Sequence, residues 1–214
     1  EVMMRSAEWT DEWGTQWSHA FGGVGATPTS HPLQDWSQLD DYIKNGIPNP
    51  RMSGRLDSAA ATLKVHGATK YCYGIIHLAM FERMHCLRGM QNIFMDFYTN
   101  EPDVRKLMEA LQAYLIEQVR MWSEIGADGV FMTDDWGSQT GLLVSPDLWR
   151  RFFKPCYATV FEEIHRLGMD VLFHSCGNVM DIVGDLVDIG LDVLDPVQPG
   201  AMDIEALARE FGGK

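Results

Sequence analysis

His174-Ser175-Cys176 closes an apolar run, Val171-Leu172-Phe173, and places an imidazole and a thiol two positions apart. On an extended segment the side chains at i and i+2 project to the same face, so the two can meet. A nitrogen and a soft sulfur side by side suit zinc. The same pair is open to two other readings. One is a buried thiol beside a hydrogen-bonded histidine. The other is a Cys/His nucleophile pair in which the imidazole takes the thiol proton. No Gly-x-Ser-x-Gly phrase supports hydrolysis, and Gly137-Ser138-Gln139-Thr140-Gly141 has the wrong spacing for one.

Further polar residues sit where other apolar runs end. Asp134-Asp135 follow Val130-Phe131-Met132-Thr133. Neighbouring positions on an extended chain point to opposite faces, so only one carboxylate is expected to enter the pocket directly; the alternative reading is that one of the two caps the following loop. Asp134 is assigned here as the catalytic carboxylate, placed to bind a proton, a metal or substrate nitrogens. Asp135, His77 and Gln198 are assigned as substrate contacts. Gln198 stands between Pro196 and Pro199, which stiffen the exit of its segment. Asp195 reads equally well as a structural turn residue. His85 and Cys86 are adjacent on a helical stretch and do not face one ion together. His165 lies on the outer side of an amphipathic stretch.

The elements that must position these groups follow a repeated phrase. Gly126-Ala127-Asp128-Gly129-Val130, Gly168-Met169-Asp170-Val171-Leu172 and Gly190-Leu191-Asp192-Val193-Leu194 each follow an amphipathic stretch and open an apolar one. The glycine supplies the left-handed residue that stops a helix. The apolar residues feed a buried parallel strand. Strands are expected near 71–78, 129–135, 170–176 and 192–197. Helices are expected over 56–66, closed by Gly67, from Asn100 to Gly126, after Ser145-Pro146 and after Asp203. Short strands alternating with helices imply right-handed βαβ units and a parallel sheet.

The expected domain is a single one over 1–214, irregular and helical over 1–70 and built of βα repeats over 71–214. The glycine run Gly22-Gly23-Val24-Gly25 leads into Pro28, Ser30 and Pro32 rather than into a helix, so it reads as a turn and not a dinucleotide loop. The fold class is α/β, of the (β/α)8 TIM-barrel type, with an open doubly wound sheet as the alternative. A closed barrel takes about 250 residues, so this chain of 214 is expected to hold an incomplete one.

Composition narrows the partners. Hydrophobic residues make up 46% and charged residues 22%, which suits a packed globular domain. The net charge of -13 repels phosphate backbones and argues against nucleic acid. The longest apolar stretch, Tyr71 to Phe81, is broken by Gly74 and His77 and is too short to cross a bilayer. The first residues show no signal-peptide pattern, and the 4 cysteines show no pairing pattern, so reduced thiols and a cytoplasmic location are expected.

Taken together, these phrases resemble the uroporphyrinogen decarboxylase superfamily. The resemblance is carried by Gly126 to Gln139, by Ser145-Pro146-Asp147-Leu148-Trp149-Arg150-Arg151-Phe152-Phe153-Lys154-Pro155, by His174-Ser175-Cys176-Gly177-Asn178-Val179 and by Asp192 to Pro199. It is clearest over 120–214 and weaker over 10–100. It implies a (β/α)8 barrel and one of two activities. One branch decarboxylates uroporphyrinogen III without a cofactor and carries an arginine-rich N-terminal motif, which is not found near this N-terminus and would have to precede residue 1. The other moves methyl groups from a corrinoid carried by a partner protein to a thiol or other acceptor, with zinc activating the thiol. That branch uses a His-x-Cys pair and a later cysteine. His174 and Cys176 match the pair, and the later cysteine is expected beyond Lys214. Asp134, His77 and Gln198 would then orient the acceptor. The resemblance thus favours a methyltransferase-like enzyme, with a uroporphyrinogen decarboxylase and a noncatalytic corrinoid-protein-binding module as alternatives.

Overall fold

The structure, a computed structural model, describes residues 7–19 and 25–213. Most of the glycine run at 22–25 and the first residues of the chain lie outside them. In chain order the elements are β1 (Ala7–Thr10), β2 (Gln16–His19), β3 (Thr27–Ser30), α1 (Leu39–Asp41), α2 (Asp57–His66), β4 (Tyr73–Ile76), α3 (Phe81–Arg88), α4 (Met90–Thr99), α5 (Glu101–Glu124), β5 (Gly129–Thr133), α6 (Pro146–Arg166), β6 (Asp170–His174), α7 (Met180–Asp188), β7 (Val193–Asp195) and α8 (Ile204–Phe211). They form two compact units. One holds the described residues up to Asn49 together with Met80–Ala110, and the other holds Pro50–Ala79 with the chain from Leu111 onward.

The first unit corrects the expectation of an irregular N-terminal part. It contains an antiparallel sheet in the order β1-β2-β3. Trp9 and Trp17 are direct partners across β1 and β2, and their rings stack at 6.4 Å. Asp11 closes the turn between them, accepting the backbone N–H of Trp13 and Thr15 and the indole N–H of Trp17. Each strand has only four residues and leaves much of itself exposed. Such short, half-wet strands carry no run of alternating apolar residues to read.

The second unit is the predicted βα array. Its parallel sheet has the order β4-β5-β6-β7, and among the described residues it does not close into a barrel. The three phrase glycines act as expected: Gly126, Gly168 and Gly190 stand at φ +86°, +75° and +99° and end α5, α6 and α7. Ser145 caps α6 through Leu148 N–H, with Pro146 in its first turn, and Asp203 caps α8 through Ala206 N–H. The phrase aspartates have a second use. Asp128 accepts the backbone N–H of Cys72 at 2.7 Å, and Asp192 accepts that of Val171 at 2.7 Å. Each carboxylate therefore ties its own strand to the preceding one at the sheet's N-terminal edge.

Burial separates the two faces of this sheet. Val130, Met132, Val171 and Phe173 are buried beneath helix side chains. Phe173 packs against Tyr157 and Phe161 of α6 at ring separations of 5.3 and 6.1 Å. Phe131 and Leu172 alternate with these and are only partly buried, and Ile75 and Val193 beside them are exposed. These four are lateral partners in the register and share one face. That is the face which lines the interior of a closed barrel. It carries the candidate site at its C-terminal edge. The edge strand β4 shows the same alternation: Tyr73 and Ile75 are exposed on the open face, and Gly74 and Ile76 are buried on the other.

Candidate metal centre

The register decides which side chains meet. Thr133, His174 and Asp195 are lateral partners at the ends of β5, β6 and β7. They therefore share the open face. Cys176 is two positions past His174 and lies beside it, with Sγ 3.3 Å from His174 Nε2. Asp135, two positions past Thr133, arrives from the neighbouring strand end with Oδ1 3.7 Å from the same Nε2. Asp135, His174 and Cys176 each present one ligand atom, and the three atoms lie within 4.8 Å of one another. All three residues are partly buried.

The other nitrogen of His174 is also engaged. Asp195 Oδ2 lies 2.8 Å from Nδ1. An ionised carboxylate can only accept, so Nδ1 is the nitrogen that donates to it, and in the neutral ring this leaves the Nε2 lone pair facing the thiol. Phe131 meets the ring edge-on, with centroids 5.9 Å apart.

The backbone around the cluster is tightly sewn. Cys176 N–H donates to Asp135 Oδ1 at 2.8 Å, Gly137 N–H to the Cys176 carbonyl at 3.1 Å, and Asn178 N–H to the Ser138 carbonyl at 2.7 Å. Trp136 N–H donates to the buried Ser175 hydroxyl at 2.8 Å. Two glycines make this contact possible. A Cβ on Gly137 would stand 2.5 Å from the Cys176 carbonyl oxygen, and one on Gly177, at φ +83°, would stand 2.4 Å from the Gly137 carbonyl carbon. Gly177 thus makes the tight turn after Cys176, with Gly137 as its close partner.

The sequence-assigned residues divide as follows. His174, Cys176 and Asp135 come together. Asp134 does not join them: it is fully buried on the opposite face, where the Tyr157 hydroxyl donates to its Oδ2. Burial, and then the Asp134 charge, push the Tyr157 phenol well above its ordinary pKa, so it stays a donor. Gln198 is turned toward the chain rather than outward, its Oε1 accepting Gly177 N–H at 2.6 Å. His77 follows the end of β4, exposed, and is not among the three clustered donors. Asp195 is the partner the sequence reading left as a turn residue. Its signal was its place at the end of the strand next to that of His174.

The donor set suits zinc. With metal–ligand bonds of about 2.0 Å to nitrogen or oxygen and 2.3 Å to sulfur, a tetrahedral ion separates its ligands by roughly 3.3–3.6 Å. The observed 3.3 Å from sulfur to nitrogen and 3.7 Å from nitrogen to oxygen are close to that.

Comparison with known proteins identifies the setting. The sequence profile described as uroporphyrinogen decarboxylase (URO-D) matches residues 55–212. The chain belongs to the uroporphyrinogen decarboxylase family. Among relatives of this family, the uroporphyrinogen decarboxylases of two Thermus thermophilus strains are each 32% identical to it over 97 residues. That match takes in 45% of this chain and 27% of each relative, so the chain spans well under half of their length. Among solved structures, a methyltransferase from Methanosarcina mazei superposes with a TM-score of 0.64 at 18% identity, over 86% of this chain and 52% of that one. The likeness is one of fold, and the four-stranded array is an unclosed part of a TIM-barrel-type sheet. Among the described residues no helix is long and apolar enough to cross a membrane.

Proposed function

We propose that this chain carries the zinc centre of a methyltransferase-like enzyme of the uroporphyrinogen decarboxylase family. The observation that carries this reading is the convergence of Asp135 Oδ1, His174 Nε2 and Cys176 Sγ at the C-terminal ends of β5 and β6. Functional residues in this architecture collect at that edge. A thiolate and a carboxylate with one neutral imidazole also balance the charge of a divalent ion. When bound by three protein ligands, zinc keeps a further position for substrate and lowers the pKa of a thiol that takes it.

The chain's own residues do the rest. His174 and Cys176 hold the ion, with Asp135 as the third donor among the described residues. The partly exposed row Ile75, Phe131, Leu172 and Val193 offers an apolar floor beside the centre. On this reading the methyl group comes from a corrinoid on a partner protein, and the acceptor is a small thiol or a comparable nucleophile. Exposed His77 and half-buried Gln198 would contact that small molecule, Gln198 through the end of its amide not bonded to Gly177. Asp134 would support the site from behind the sheet.

The test is zinc content, wild type against Cys176→Ser, with methyl transfer from methylcobalamin to a thiol as the activity arm. One zinc per chain, lost in the variant, is expected. No zinc in either protein overturns the reading.

The 32% identity to uroporphyrinogen decarboxylases favours one second reading, cofactor-free decarboxylation of a tetrapyrrole. The carboxylate facing the substrate would then be Asp135, because Asp134 is buried on the other face. Formation of coproporphyrinogen by chelator-treated protein would select it.

A further inference from the structure

We propose that Asp195 is the positioning residue of this centre: it holds His174 as the Nδ1–H tautomer and so presents Nε2 to the ion. The inference rests on the metal reading above. It does not depend on which methyl donor or acceptor the enzyme uses.

Three observations lead to it. First, Asp195 and His174 are lateral partners in the parallel register, and the Asp195 carbonyl accepts Ser175 N–H at 2.8 Å. The backbone of the carboxylate is thus fixed by the same ladder that fixes the imidazole. Second, the side chains meet at the ring nitrogen away from the thiol: Oδ2 is 2.8 Å from Nδ1, while Sγ is 3.3 Å from Nε2. Turning the ring over would give up the Nδ1 hydrogen bond and take Nε2 away from the thiol together, so one contact sets both ends. Third, the edge-on contact with Phe131 limits the ring's remaining freedom.

Metal-binding histidines depend on such a partner. A carboxylate on the far nitrogen fixes the tautomer and the ring plane, and its loss weakens metal binding by about 10- to 100-fold. Asp195 comes from β7, a different strand from either ligand-bearing segment. The centre therefore needs three consecutive strands, two for the ligands and a third to aim one of them.

The experiment compares wild type, Asp195→Asn and Asp195→Ala in two measurements. The first is zinc affinity by competition with a chromophoric chelator. The second is the His174 ring tautomer in the metal-free protein, read from long-range proton–nitrogen correlations. Asparagine can still accept from Nδ1–H but lacks the charge, so affinity is expected to fall in the order Asp, Asn, Ala, with Ala weaker than wild type by about 10- to 100-fold. The Nδ1–H tautomer is expected in wild type and Asn and is lost or mixed in Ala. Partial rescue by Asn separates positioning from simple loss of fold. Zinc bound equally by all three proteins, or a wild-type His174 protonated on Nε2, overturns the proposal. A wild type that binds no zinc overturns the metal reading itself, and the tautomer arm then shows separately whether Asp195 holds the ring.

Discussion

Asp135 Oδ1 accepts the backbone N–H of Cys176 at 2.8 Å, so the loop leaving β5 and the segment that carries the thiol form one structural piece. On the proposed zinc reading the same carboxylate is both brace and metal ligand, and the two roles separate by substitution. Asp135→Asn keeps an acceptor for Cys176 N–H but loses the charge. Its stability is expected near wild type, with zinc affinity reduced by at least about tenfold. Asp135→Ala is expected to lose the affinity and about 1 kcal/mol of stability as well. Chelator competition and urea unfolding on the two variants check both numbers. Wild-type affinity in Asp135→Ala would remove Asp135 from the donor set.

The two strand-end loops approach too closely for side chains at Gly137 and Gly177. Gly177→Ala adds a left-handed residue to a clash with backbone, and should cost at least about 2 kcal/mol. Gly141 lies in the same loop with nothing within 4 Å of its would-be Cβ. Gly141→Ala should stay within about 0.5 kcal/mol of wild type. Equal unfolding midpoints for Gly177→Ala and Gly141→Ala would show that the contact is not tight in solution.

Behind the sheet, Asp134 is a fully buried carboxylate that receives the Tyr157 hydroxyl. Tyr157→Phe removes a donor to a buried charge and is expected to cost on the order of 2–3 kcal/mol. Zinc uptake by the folded variant should match wild type, because Asp134 and the donor cluster lie on opposite faces. Loss of zinc from folded Tyr157→Phe would link the two faces and restore Asp134 to the site.

His85 gives a pH signature away from the site. Burial first, then the charges of His31 and Arg83, push its imidazole down to about 4. Its value in the unfolded chain is about 6.5. Between these two values the unfolded chain takes up a proton that the folded one refuses. Stability is therefore full above about 6.5 and falls as pH drops toward 4, by on the order of 3 kcal/mol. Urea unfolding near neutrality and near pH ~5 should show a smaller acid loss in His85→Gln than in wild type. An identical loss in both would place the acid sensitivity elsewhere.

Much of this architecture is legible in local sequence. Helix ends at Gly126, Gly168 and Gly190, the caps Ser145 and Asp203, and the four parallel strands all follow from short-range chemistry: a left-handed residue, a side-chain acceptor, an apolar run. The β1-β2-β3 sheet is not, because its cross-strand Trp9–Trp17 pair and the Asp11 turn are interactions between residues that no periodicity marks.

The sequence by itself determined the family, the βα array and the His174–Cys176 pair, since each depends on residues adjacent or nearly adjacent along the chain. Tertiary structure alone decided which carboxylates meet that pair. Aligned on their phrases, Asp128, Asp170 and Asp192 would sit level, which puts Asp134 beside Cys176. The register is staggered by one: Gly129 pairs with Asp170, and Leu172 with Val193. A shift of one residue exchanges the faces of a strand. It turns Asp134 into the core, brings Asp135 to the thiol and sets Asp195 against the far side of His174. That offset belongs to the tilt of neighbouring strands in a barrel-type sheet, a relation between segments that no single segment contains.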